Sequence, residues 1–177
     1  SKSSAKVVTG NAESISAENW QGKSYSAANK VNIADYFEEN TQYHYQYTDN
    51  YTGDDSVWSA EYDYTTKATD KFSVILTGDP QVGASGSSSD KSANDASVAR
   101  DAYNWNKTMQ QALKTCPDAS FLLSAGDQIN QSGAAKDDDK KTRESEYAGY
   151  LYPSVFRSLP IAATIGNHDM AGADYSA

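Results

Sequence analysis

Phe72-Ser73-Val74-Ile75-Leu76-Thr77-Gly78-Asp79-Pro80-Gln81 is the stretch whose reading decides the fold. An apolar run rich in β-branched residues is broken by Gly and at once delivers a carboxylate. The pattern returns at Phe121-Leu122-Leu123-Ser124-Ala125-Gly126-Asp127-Gln128-Ile129-Asn130 and at Ile161-Ala162-Ala163-Thr164-Ile165-Gly166-Asn167-His168-Asp169. A short apolar run bounded by turn residues predicts a strand buried on both faces, as in a parallel sheet covered by helices. Ligands of such sheets sit beyond the carboxyl ends of the strands, where each Gly-Asp or Gly-Asn falls, so the three tips are expected to form one site.

The intervening segments fit that expectation. Val98, Ala102, Trp105, Met109, Leu113 and Cys116 are spaced by three and four, which predicts a helix with its apolar stripe in the core. Asn94 or Asp95 is suited to cap its start, and Pro117 stops it. A second helix is predicted over 143–152, with Tyr147, Tyr150 and Leu151 inward and Pro153 near its end. The order strand, helix, strand, helix, strand gives right-handed crossovers and a parallel sheet. Residues 82–90 are rich in Gly and Ser and predict a mobile loop on the site side. Residues 131–141 read as a charged loop in which Asp137, Asp138 and Asp139, flanked by Lys, form a solvated run rather than a metal cluster.

Upstream, residues 1–35 are polar, with apolar residues too sparse for a core, and predict irregular structure with one or two short strands. Tyr43, Tyr45 and Tyr47 then alternate with His44 and Gln46, and Trp58, Ala60, Tyr62 and Tyr64 alternate with Ser59, Glu61 and Asp63. This period of two, with Asn50 and Gly53 between the runs, predicts an antiparallel hairpin. Two strands do not stand alone in water, so a larger β-sheet, a sandwich, is expected around them. Tyr suits a half-wet strand, ring inward and hydroxyl at solvent, so the stripe is read as packing and His44 as an exposed strand residue.

Composition excludes several classes. The chain has 177 residues, 38% hydrophobic and 22% charged, the content of one ordinary domain or two small ones. No apolar run approaches the roughly 20 residues of a membrane span, and Ser1-Lys2-Ser3-Ser4-Ala5-Lys6 lacks the apolar core of a signal peptide. A net charge of −9 argues against a nucleic-acid partner, because counterion release needs clustered Lys and Arg. The single Cys116 excludes an internal disulfide; the scarcity of thiols fits a secreted or cell-surface protein.

Asp79, Gln81, Asp127 and Asn167 are all oxygen donors, which hard divalent or trivalent ions accept readily. An Asp with two oxygens can bridge two ions roughly 3.5–4 Å apart, the arrangement that clamps a phosphoryl group. Gly78-Asp79-Pro80-Gln81, Gly126-Asp127-Gln128-Ile129-Asn130 and Gly166-Asn167-His168-Asp169 together resemble the first three motifs of the calcineurin-like metallophosphoesterases, in order. The spacing is also similar, 48 residues from Asp79 to Asp127 and 40 from there to Asn167. The Tyr-rich hairpin before them resembles the end of the fibronectin-III-like domain of purple acid phosphatases and their bacterial relatives.

The resemblance implies an α/β fold: the first half of a metallophosphoesterase αββα sandwich over 71–177, preceded by part of a fibronectin-III-like β-sandwich over 1–70. It implies two metal ions, of Fe, Zn or Mn, with Asp79 on the first, Asp127 bridging both and Asn167 on the second. His168 would stand near the scissile phosphate and protonate the leaving oxygen of a phosphate ester or stabilise its charge, whether the ester is a small molecule or a phosphorylated substrate. The family usually has His at the position of Gln81. At Asn130 purple acid phosphatases place a Tyr ligand and other members an Asp that orients the motif-three His; Asn130 is expected to hold His168 by a hydrogen bond. The family's later His and Gly-His-x-His ligands are not in this sequence, which has two His in all. The chain therefore resembles the N-terminal part of a longer enzyme and is expected to be inactive alone. The rival expectation is a cell-surface binding module, with an incompetent phosphoesterase-like scaffold and a glycan-binding aromatic hairpin.

Overall fold

Each apolar run that ends in Gly becomes a strand. The computed structural model describes residues 5–86, 91–131 and 137–170. In chain order these form β1 (Asn11–Glu18), β2 (Ser24–Lys30), β3 (Gln42–Tyr45), β4 (Tyr62–Thr65), β5 (Ser73–Thr77), α1 (Lys91–Thr115), β6 (Ala119–Ser124), α2 (Asp137–Tyr150) and β7 (Ile161–Ala163). The chain is mixed α/β, and the described residues form three small sheets: β1-β2, β3-β4, and β5-β6-β7. β5 and β7 both run parallel to the central β6, with Ile75 beside Leu122 and Leu122 beside Ile161.

Strands laid down in sequence order and joined by right-handed crossovers receive their helices on one face. The core forms there, from Met109, Ala119, Leu122 and Leu159, with Ile75, Trp105, Phe156 and Ile161 packed against them. Full burial of a side chain such as Met109 or Leu122 contributes about 1.5–3 kcal/mol. The expectation that the strands are buried on both faces is corrected by the same geometry. Phe72, Val74, Leu76 and Ile165 are exposed, Leu76 to 68%, because no described element covers the second face. No helix among the described residues is long and apolar enough to cross a membrane.

The stripe on α1 packs as its spacing predicts, with Val98, Ala102 and Met109 fully buried. The helix begins at Lys91, so Asn94 and Asp95 lie inside it rather than at its cap. It ends at Thr115, two residues before Pro117, whose missing N–H cannot continue the ladder. α2 begins at Asp137, six residues before the predicted start, so Asp137–Asp139 form a helical first turn and not a loop. Asp is a favoured residue type at a helix N-terminus, which the loop reading overlooked. Leu151 is exposed, against expectation, because the helix stops at Tyr150 and Leu151 falls in the turn that follows. Tyr150 is buried, stacked on Trp105, whose Nε1 donates to the Tyr150 carbonyl at 3.0 Å. Residues 87–90 of the Gly/Ser-rich loop and 132–136 of the charged loop lie outside the described residues.

The Tyr hairpin is present, with Tyr43 opposite Tyr64 and Tyr45 opposite Tyr62. Its rings pack on one another and on Phe37, as the packing reading requires. Among the described residues it remains two-stranded instead of joining a larger sheet. Its support comes from the short helical turn Ser154–Arg157: Tyr45 Oη donates to the Arg157 carbonyl at 2.7 Å, and the Arg157 guanidinium lies over the Tyr62 ring. His44 is exposed, as expected, with Nδ1 2.6 Å from Asp63 Oδ1. The β1-β2 ribbon turns at Asn19, whose side-chain oxygen accepts from the N–H groups of Gln21 and Lys23. Trp20, next in sequence, packs against the Val82, Val98 and Tyr150 cluster and ties the ribbon to the α/β core.

Candidate functional site

The three tips meet. Beyond the ends of β5 and β6 the chain stays paired: Asp79 N–H donates to the Gly126 carbonyl at 3.1 Å, Gln81 N–H to Asp127 at 2.9 Å, and Val82 N–H to Gln128 at 3.1 Å. The third tip closes on the second, His168 N–H donating to Asp127 Oδ1 at 2.8 Å. Asp79, Gln81, Asp127, Asn167 and His168 thus lie on one rim of the parallel sheet. Glycine permits this closeness at two positions. A Cβ on Gly126, where φ is +100°, would lie 2.6 Å from Gly166 N, and one on Gly166 would lie 2.7 Å from Asp127 Cγ. Adjacent strands are set 4.7–4.9 Å apart, so tips that turn toward each other leave no room for side chains between them.

Asp79, Gln81 and Asp127 all have positive φ, of 59°, 38° and 52°. Non-glycine residues adopt this region seldom, at a cost of order 1–3 kcal/mol each, and such positions cluster where function demands them. Asp79 and Asn167 are exposed and Asp127 half-buried. Gln81 Nε2 donates to Asp79 Oδ1 at 2.7 Å, so these two side chains are already gathered.

The third carboxylate of the motifs has a different task. Asp169, 3% exposed, accepts from Gly166 N–H at 2.8 Å, Gln128 N–H at 3.1 Å and Tyr147 Oη at 3.3 Å. It welds the second and third tips together from beneath. Gln128 adds to the weld, its Nε2 donating to Ser124 Oγ and to the Thr164 carbonyl.

His168 is held by its ring as well as its main chain. Its Nδ1 is hydrogen-bonded to Asn130, as expected, but the acceptor is the main-chain carbonyl and not the side chain. The reason is local: residues 128–130 still run beside the first tip, Asn130 N–H donating to the Val82 carbonyl at 3.1 Å, and this turns the carbonyl toward the third tip. Residue 130 therefore orients His168 whatever its side chain.

Two residues that sequence reasoning passed over lie directly behind. Arg143 donates to the carbonyls of Gln131 at 2.7 Å, His168 at 2.9 Å and Asp169 at 2.8 Å. Glu146, fully buried, accepts at Oε2 from Asn130 N–H at 3.1 Å and Gln131 N–H at 2.7 Å. Burial pushes its carboxyl up to about 7, against the opposing pull of those N–H groups and of Arg143 and His168. A signal existed: positions 143, 146, 147 and 150 are spaced by three and four, so the inward face marked by Tyr147 and Tyr150 also carries Arg143 and Glu146.

Among the described residues no three His, Cys, Asp or Glu side chains come together as a metal-binding group. What the rim offers is two carboxylates, Asp79 and Asp127, with the amide oxygens of Gln81 and Asn167. Oxygen donors of this kind suit a hard cation and fit one ion better than two, since together they carry two negative charges and no imidazole. Compared with known proteins, the chain matches no protein-family model, no curated protein and no solved structure.

Proposed function

We propose that the protein is a metal-dependent phosphoesterase, hydrolysing phosphate esters at a dinuclear centre built on these three tips. On this reading 71–177 is the first half of a calcineurin-like metallophosphoesterase domain and 1–70 part of a fibronectin-III-like domain. The observation that carries the proposal is the convergence of Asp79, Gln81, Asp127, Asn167 and His168 on one rim, three of them in strained backbone. Turn-forming Gly-Asp tips would need neither the convergence nor the strain.

Asp79, Gln81, Asp127 and Asn167 would hold the ions. When bound, two ions supply charge neutralisation for the phosphoryl group and a hydroxide nucleophile near neutral pH. His168 acts on the other side of the reaction. With Nδ1 committed to the Asn130 carbonyl, Nε2 is the atom that gives its proton to the leaving alcohol oxygen as the P–O bond breaks and the bond from water oxygen to phosphorus forms. The four donors fall short of two full coordination spheres, and the sequence has no His beyond His44 and His168, so imidazole donors from a longer protein would complete them, and the 177-residue chain alone would bind metal weakly and stay near background turnover.

The test is hydrolysis of an aryl phosphate by the natural full-length protein with Mn²⁺, Zn²⁺ or Fe added, beside Asp127→Ala. Metal-dependent turnover that the substitution abolishes is expected. No turnover, or turnover indifferent to metal or to Asp127, overturns the proposal.

A further inference from the structure

Building on that reading of His168, we propose that Glu146 and Arg143 of α2 are positioning residues for it: Glu146 sets the ring tautomer through Asn130, and Arg143 fixes the main chain. The Asn130 carbonyl and the Gln131 N–H belong to one peptide unit, which is planar and trans, so they point in opposite directions. Glu146 Oε2 grips that N–H at 2.7 Å and the Asn130 N–H at 3.1 Å. Together with the Val82 carbonyl, which shares the Asn130 N–H, the grip aims the Asn130 carbonyl at His168 Nδ1. A carbonyl oxygen only accepts, so Nδ1 carries the hydrogen and Nε2 is left as the exchanging atom. Arg143 joins the same two loops from below, bonding the Gln131 and His168 carbonyls with one nitrogen.

Packing alone does not call for this arrangement. A fully buried carboxylate is costly, and Glu146 Oε1 has no hydrogen-bond partner. An apolar residue would fill the place of Glu146 without that cost. What it would not do is hold the Gln131 N–H and, through that peptide, the direction of the Asn130 carbonyl.

The experiment reads the His168 ring directly. The chain has two His, so His44→Gln leaves one imidazole, and ¹⁵N shifts of ¹⁵N-histidine-labelled 177-residue protein, at a pH where the ring is neutral, give its tautomer. In the otherwise wild-type protein Nδ1–H is expected to predominate, against the preference of free imidazole, and the Asn130 and Gln131 amides to exchange slowly. Absence of either result overturns the proposal, whichever variants fold. Glu146→Asp withdraws the carboxylate by about 1.5 Å and is expected to return the ring to mostly Nε2–H. Glu146→Gln keeps both reach and an acceptor and is expected to keep Nδ1–H. Leu159→Val, which loosens the core away from α2, is expected to keep it too. Retention in Glu146→Asp, or loss in Glu146→Gln or Leu159→Val, overturns the proposal. The readout needs neither metal nor turnover, so its failure is distinct from failure of the phosphoesterase reading.

Discussion

Glu146→Gln changes how stability depends on pH, and the sign follows from burial. The carboxyl stands at about 7 in the folded chain against an ordinary 4.5. Between those values the folded state holds a proton that the unfolded state has released, so stability falls as pH rises. The contribution is fully present below about 4.5 and lost as pH passes through about 7. At 1.36 kcal/mol for each pKa unit, the loss between pH 5 and pH 8 is about 2–3 kcal/mol. Gln has no proton to lose, keeps an acceptor for the Asn130 and Gln131 N–H groups, and removes the buried charge. Urea unfolding followed by Trp fluorescence at several pH values, on both proteins, isolates the effect, because every other titrating group is common to the pair. The variant is expected to gain on the wild type by that amount between pH 5 and pH 8. Parallel profiles, within about 0.5 kcal/mol, would refute the claim that burial outweighs the hydrogen bonds and nearby charges that favour the Glu146 carboxylate.

Gly166→Ala places a methyl against Asp127 and is expected to cost about 1–3 kcal/mol, with a shift of the His168 amide resonance; an unperturbed melt would mean that the tips are less closely packed. In the full-length protein Asp127→Ala is expected to abolish turnover while Asn130→Ala costs little, since the acceptor for His168 is the main chain. Comparable losses in kcat with metal retained would show that the roles are misassigned. The sheet face that no described element covers, with Phe72, Val74, Leu76 and Ile165 exposed, is expected to drive self-association, and Leu76→Lys to reduce it in sedimentation while leaving unfolding free energy within about 0.5 kcal/mol.

The parallel sheet was legible because Gly-Asp after an apolar run marks both the strand and its exit, and α1 because its stripe repeats by three and four over five turns. The bare face was not, since a short apolar run reads the same for a strand covered on two sides as for one whose sequential order puts both helices on one side. The start of α2 was missed for a related reason. Asp137–Asp139 between lysines reads as a solvated loop until its helical context is known, and α2 owes its place to Arg143, Glu146 and Tyr150 rather than to a continuous apolar stripe. At the site, residue types and convergence were readable from the motifs, but the division of labour was not. Asp169 turning inward, Asn130 acting through its carbonyl and Glu146 reaching that peptide from behind are consequences of main-chain direction, which side-chain chemistry does not encode.

The claim that three strand tips make one metal site is tested most directly by titrating Mn²⁺ into the ¹⁵N-labelled 177-residue chain and mapping paramagnetic broadening of its amide resonances. Broadening is expected first at Asp79, Gln81, Gly126, Asp127, Asn167 and His168, lost together in Asp127→Ala and absent from the hairpin. Broadening centred on His44, Glu61 and Asp63, or at one tip without the others, would contradict the account.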